Sequence, residues 1–196
     1  MRCKPPDTRF YAEMRDLNTG FLALIADPDL TWHGPLFGLD AGVAAAIRAL
    51  SKSQQEFIAG IPGPLVEFET LPPPNQVADA RPESRHADGR WLESARLFST
   101  ELIMYLWQMA RQDRLAAALC FGPEPGRVSR MADMSFREIQ DCAGPAVYQL
   151  QARFARHSRF WPDLIRAARS ADPDFQYLSR ITIIPLALAQ SSAMVR

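Results

Sequence analysis

A metal centre or an acid–base site in this chain would have to be assembled from three histidines, three cysteines and 22 acidic residues. His33 stands in TWHGP, His86 in a proline-rich stretch and His157 in RFARHSRFW, and none is spaced with a second ligand type as helical metal binding requires. Cys3, Cys120 and Cys142 form neither a CxxC knuckle nor a disulfide framework. Cys120 and Cys142 fall in apolar helical stretches and read as small buried hydrophobes, which suits a reducing cytoplasm. There is no GxSxG, GxGxxG or P-loop pattern, and the turn FGPEPG carries prolines and an acid where a phosphate cradle needs bare backbone. The acid pairs Asp27/Asp29 and Asp172/Asp174 flank prolines in D-P-D, where turn and N-cap duties account for them. The expectation is a protein that is not an enzyme and needs no cofactor and no metal.

One constellation stands apart from this. Arg153, Arg156, Arg159, Arg166 and Arg169, with His157 among them, are opposed only by Asp163 and interleave with Phe154, Phe160 and Trp161. Arginines alternating with aromatics on a helical segment suit phosphate contact or an acidic partner. These six residues are the candidate DNA- or partner-binding set. A solvated face or internal salt bridges would give the same pattern, since 20 of the 22 basic residues are arginine throughout the chain. Bulk charge does not help, because 22 basic and 22 acidic residues cancel and exclude histone-like binding. The cancellation is nevertheless uneven: residues 1–88 carry 8 basic and 12 acidic side chains, and residues 89–196 carry 14 and 10.

The elements that must position these residues come in two sets. At 196 residues, 47% of them hydrophobic and 22% charged, the chain can bury a core without staples. The stretch LPPPNQVADARPESRHADG, residues 71–89, is too rich in proline and charge for a helix or strand and reads as a linker. It separates a first unit, 1–70, from a second, fuller one, 90–196. An ungapped offset of 84 superposes them, pairing Leu22/Leu106, Asp29/Asp113, Phe37/Phe121, Gly38/Gly122, Gly42/Gly126, Ser51/Ser135 and Gly60/Gly144. Ser51 with Gln54, and Ser135 with Glu138, write the same helix-starting capping box. Gly60 and Gly144, each followed by proline, are expected as left-handed helix ends. Helices are expected at about 8–26, 40–50 and 52–60, and again at about 90–119, 124–133 and 136–143, with short strands or extended loops at 65–68 and 147–150. Further helices follow at 160–170 and 175–193, with a break at Asp172-Pro173. Helix 90–119 is apolar nearly all round, so it needs cover beyond its short neighbours. The long helix of the first unit is the natural cover, giving an all-α intramolecular pseudo-dimer; an inter-chain homodimer is the competing solution. The start, MRCKPPDTRF, has no apolar core of a signal peptide, and the run Ile181–Ala189 is too short for the roughly 20 residues of a membrane span, so it reads as a buried helix. A cytoplasmic location without membrane contact is the expectation.

The second unit resembles the flagellar transcriptional activator subunit FlhD family. The resemblance rests on STELIMYLWQMARQDRLAAALCFG, the turn into MADMSFREIQDCAG, and QARFARHSRFWPDLIRAAR, in which Gln112-Asp113, Phe121-Gly122, Ser135 to Ala143, and Arg153-Phe154 with His157 take the family's positions. The first unit is similar more faintly, through Asp29, Phe37-Gly38 and the Ser51–Gly60 helix. The resemblance implies two FlhD-like helical repeats, a transcriptional regulator working with an FlhC-like protein partner that carries the zinc cysteines, and promoter DNA bound in that complex. It also implies phosphate contacts by Arg153, Arg156, Arg159 and Arg166. Leu150 stands where the family often has cysteine, so no disulfide between subunits is implied, and the fused form departs from the plain flagellar subunit.

Overall fold

The computed structural model describes residues 8–28, 30, 36–71, 89–121 and 126–192. Leu22, Ile25, Phe21 and Met14, spaced three and four apart, build the buried face of helix α1 (Thr8–Ala26). A tight turn follows, in which Phe37 (φ 52°) and Gly38 (φ 78°) both adopt left-handed dihedrals while Leu36 and Leu39 exchange backbone hydrogen bonds. Asp40 caps α2 (Ala41–Arg48) by accepting from the Val43 N–H, and Ser51 with Gln54 closes a complete capping box on α3 (Lys52–Ala59). The chain then extends into β1 (Val66–Phe68).

The second series begins with α4 (Gly89–Gln112), whose Trp91, Phe98, Leu102, Ile103 and Leu106 are all buried. The single helix expected over 90–119 is broken at Asp113. Its Oδ1 accepts from the Leu115 and Ala116 N–H groups and starts a new helix, α5 (Arg114–Phe121). Next come α6 (Arg127–Asp133), α7 (Phe136–Ala146) with the same capping box at Ser135 and Glu138, a 3₁₀ turn over Val147–Gln149, and β2 (Leu150–Ala152). The chain ends in α8 (Phe160–Arg169), α9 (Pro173–Ile181) and α10 (Ile183–Ser192). The break at Asp172-Pro173 falls as expected: Asp172 caps α9 and Pro173 fills its first turn.

Among the described residues the protein is mostly helical, with one two-stranded antiparallel sheet whose register pairs Val66 with Ala152, Glu67 with Gln151 and Phe68 with Leu150. The central pair, Glu67 and Gln151, is 84 residues apart, and so are the first residues of β1 and β2. Two flanking bonds repeat the relation: Glu69 N–H donates to the Gln149 carbonyl and Arg153 N–H to the Leu65 carbonyl, each at 2.8 Å. A local two-fold axis therefore runs through the Glu67–Gln151 pair. Helices α1 and α4 pack directly and antiparallel, with Phe10 near Tyr105, Phe21 stacked on Phe98 at 6.1 Å, and the Trp91 indole donating to the Leu24 carbonyl. Helix α4 is also covered by α5, α6 and α7, which is how its nearly all-round apolar surface is hidden.

Two expectations need correction. Gly60 has φ −80° and Gly144 lies inside α7, so neither is a left-handed helix end; among the described residues the left-handed glycines are Gly38 and Gly126. The run Ile181–Ala189 is not a uniformly buried helix. Thr182 separates α9 from α10, and α10 buries Ile183 and Ala187 while exposing Ile184 and Leu188. Among the described residues no helix is long and apolar enough to cross a membrane. The expected linker interior, 72–88, lies outside the described residues, as do Cys3, Asp29, His33, His86 and Gly122.

Candidate partner and nucleic-acid interface

The arginine-rich segment leaves β2 through a turn that the sequence dictates closely. Arg153 N–H is tied to Leu65, Phe154 takes a positive φ of 57°, and His157 N–H bonds the Phe154 carbonyl. His157 Nδ1 accepts from the Phe160 N–H at 3.1 Å, so this exposed imidazole helps to start α8. Trp161 locks the turn from the other side by donating its indole N–H to the Arg153 carbonyl at 2.9 Å.

The aromatics of the segment are therefore core. Phe154, Phe160 and Trp161 are all buried, with ring centroids 4.9 Å apart for Phe154–Phe160 and 5.7 Å for Phe160–Trp161. They are not available to stack on bases. Arg153, expected to contact phosphate, is 1% exposed: the strand register turns its side chain inward, where it lies over the Phe154 ring and sets Nε 3.8 Å from Glu67 Oε2. A guanidinium held there cannot reach a duplex, which removes Arg153 from the interface.

Arg156, Arg159, Arg166 and Arg169 are exposed and follow one another from the turn along α8. Most are engaged locally. Arg156 lies 3.7 Å from Glu69, and Arg166 bonds Asp163 at 2.8 Å while covering the Phe175 ring. Arg169 donates to the Ala46 carbonyl at 3.3 Å, and Arg159 stands at the start of α8 with no side-chain cap bond. The surface they form is a row of four cations, two of them offset by neighbouring carboxylates, and its chemistry is anion contact at the level of phosphate or carboxylate.

Three polar groups that sequence reasoning missed tie together the segments around the two strands: Asn18 and Arg127 are buried and Glu67 is half-buried. Asn18 is fully buried in α1; its amide donates to the carbonyls of Ala59 and Gly63, and its oxygen accepts from the Leu65 N–H at 2.8 Å. Arg127 is buried at the start of α6 and donates to the carbonyls of Phe68 and Glu69, both at 2.9 Å. Glu67 Oε1 accepts from the Gln151 amide at 3.0 Å. Burial pushes the Glu67 carboxyl above its ordinary value, against the opposing pull of Arg153 and Arg127, and burial likewise lowers the Arg153 guanidinium. Glu67 and Gln151 stand 84 residues apart, so the offset that aligns the two units is the signal from which their meeting could have been read. Asn18 and Arg127 have no counterpart at that offset, where Leu102 and Val43 stand, and no pattern announces them.

Cys120 and Cys142 are both buried, as their setting suggested, and burial pushes the Cys120 thiol up to about 11, far from a reactive thiolate. Among the described residues no group of three His, Cys, Asp or Glu could hold a metal ion. Compared with protein-family models, with curated proteins and with solved structures, the chain matches none of them.

Proposed function

We propose that this chain is a non-enzymatic, FlhD-like transcriptional regulator of the cytoplasm, in which two helical repeats, 1–70 and 90–196, are joined by the 71–89 linker into a built-in pseudo-dimer. It works through a protein partner of the FlhC kind. The observation that carries the reading is the antiparallel Glu67–Gln151 pair, because strands from the two units meet about a two-fold axis at the same offset that aligns their helices and capping boxes. That is how two subunits of a dimer meet, here within one chain. DNA contact falls to Arg156, Arg159, Arg166 and Arg169, through phosphates rather than bases, since the aromatics of the segment lie in the core.

The test is a fluorescence-anisotropy titration of duplex DNA at two salt concentrations, with the protein alone and with an FlhC-like subunit. Each phosphate contact should add about 0.9 to the slope of log affinity against log salt, so Arg156→Glu with Arg159→Glu should lower it by about 2. Absence of salt-sensitive binding in both settings sinks the regulator reading. A second reading, an interaction or scaffold protein of the same fold without DNA binding, is favoured by the ion pairs of Arg156 with Glu69 and Arg166 with Asp163, which already balance two of the four cations. It would be supported by partner binding that persists in the doubly substituted variant.

A further inference from the structure

The offset of 84 gives each residue of the second unit a twin in the first, and the twins show what the shared fold requires at each place. Around the meeting of α4 with α5, α6 and α7 the second unit carries Trp107, Arg111, Arg114, Asp133, Phe136 and Arg137. The first unit has Ala23, Asp27, Leu30, Ala49, Lys52 and Ser53 at the same places. Phe136 and Lys52 each follow a serine that closes the same capping box, so the helix start has no need of an aromatic ring. Ala23 and Lys52 are both exposed, so the first unit folds without either ring. The first set balances one acid against one base, whereas the second sets three arginines against one acid. Two aromatic rings and a positive charge thus stand where the fold asks for neither.

The six side chains form one surface. The Arg111 guanidinium lies 5.1 Å over the Trp107 ring, and the Phe136 ring stands 6.2 Å from that indole at 49°. The indole N–H is anchored on the Met134 carbonyl at 3.0 Å, and Asp133, one residue earlier, lies 3.9 Å from Arg114. Phe136 is 51% exposed, Trp107 is half-buried, and Arg111, Arg114 and Arg137 are all exposed. The other acids of α7 stand elsewhere. Glu138 is turned back to its own cap, where it accepts from the Ser135 N–H and hydroxyl at 2.7 Å, and Asp141 lies about 140° round the helix from Phe136.

We propose that this surface binds single-stranded DNA, with a base stacked on Phe136 beside the Arg111–Trp107 pair and the flanking phosphates on Arg111, Arg114 and Arg137. An exposed ring face with arginines alongside matches the two features that repeat along a single strand, a flat base and an anion. The stack on Trp107 holds the planar Arg111 fork in one orientation, which suits a phosphate oxygen. A duplex keeps its bases stacked on one another and has none to lay on Phe136. Among the six side chains Asp133 is the one acceptor for a ribose 2′-hydroxyl, and it is turned to Arg114, so the strand is DNA rather than RNA. This surface is apart from α8 and does not depend on the regulator reading.

Fluorescence anisotropy of a labelled oligodeoxyuridine of about 15 nucleotides, titrated with the whole chain at two salt concentrations, decides it. The wild type should bind this strand at least about tenfold more tightly than the same strand paired with oligodeoxyadenosine. Phe136→Lys and Arg137→Ser install the twin residues, with which the first unit already folds, so circular dichroism should not change. Phe136→Lys adds a cation yet should weaken binding about tenfold, because a stacked base is lost. Arg137→Ser should lower the slope of log affinity against log salt by about 0.7, a readout that stands even if the first variant misfolds. Arg156→Glu with Arg159→Glu should bind the single strand as the wild type does, so this test and that of the regulator reading fail separately. No binding by the wild type, undiminished binding by Phe136→Lys, or loss of binding in the α8 variant overturns the proposal. So does equal affinity for the duplex or for polyglutamate, or tighter binding of oligouridine.

Discussion

At the scale of single residues, the two-fold region is governed by what burial does to charge. Glu67 shares its surroundings with Arg153, Arg127 and Gln151, and a carboxylate there has exchanged water for a guanidinium 3.8 Å away and one amide bond. Desolvation wins, and the folded protein holds the Glu67 proton more tightly than the unfolded chain does. The stability this group contributes is therefore fully present below the ordinary carboxylate value and is lost as pH rises through the raised one. Urea midpoints measured between about pH 4 and pH 7 should fall with rising pH more steeply in the wild type than in Glu67→Gln. Parallel profiles for the two proteins would show that Glu67 does not set this slope. Asn18 answers the same problem without charge: its amide satisfies two carbonyls and one N–H that the turn out of α3 would otherwise leave bare.

At the scale of elements, α1 packs directly against α4, and Gly20 eases the contact, because a Cβ there would stand 3.1 Å from Phe98 Cδ2. A methyl can be accommodated if the Phe98 ring yields by a few tenths of an ångström, and alanine regains up to about 1 kcal/mol of helix propensity, so Gly20→Ala should be near neutral. A branched side chain has no such room. Gly20→Val should lower unfolding free energy by about 2 kcal/mol in denaturant melts, the usual cost of overpacking, and a neutral result would mean that α1 and α4 part easily. The destination of α8 is an element-scale choice as well. It packs on α2 and α3 of the first series, beside Val43 and Ala46. The positions 84 residues later are Arg127 and Arg130, one committed to the carbonyls of Phe68 and Glu69 and the other exposed, so the equivalent face of α6 and α7 offers no apolar seat.

At the scale of the whole molecule, contacts cross between the two series at α1 with α4, β1 with β2, α5 with β1, and α8 with α2 and α3. Neither series keeps its core to itself, so the chain should unfold in one transition. In a Trp32→Phe background, tryptophan fluorescence reports from Trp91, Trp107 and Trp161, all in the second series, and circular dichroism reports from helices in both. The two signals should share one midpoint in urea. Ser51→Ala and Ser135→Ala, which remove the matching caps, should each lower that common midpoint by the equivalent of about 1 kcal/mol. Separate transitions, each moved by one substitution, would mean that the two series fold independently.

The sequence by itself determined the local structure and its repetition. Capping boxes, apolar periodicity and proline breaks act within a turn or two of chain, so the helices, the weak extended segments near 66 and 150 and the offset of 84 could all be read from it. It also marked the buried thiols and the cap at Asp172. What only the tertiary structure decided is which side of each element faces inward. The arginines and aromatics from 153 to 169 looked like one interface, and the turn after β2 with the packing of α8 on α2 and α3 split them, sending Arg153, Phe154, Phe160 and Trp161 into the core and leaving Arg156, Arg159, Arg166 and Arg169 outside. The apolar run at 181–189 looked wholly buried, and the seat of α10 left half of it exposed. The physical reason is common to both. Hydrophobicity and charge state what a side chain prefers, but burial depends on neighbours far away in the chain, whose placement no local pattern encodes.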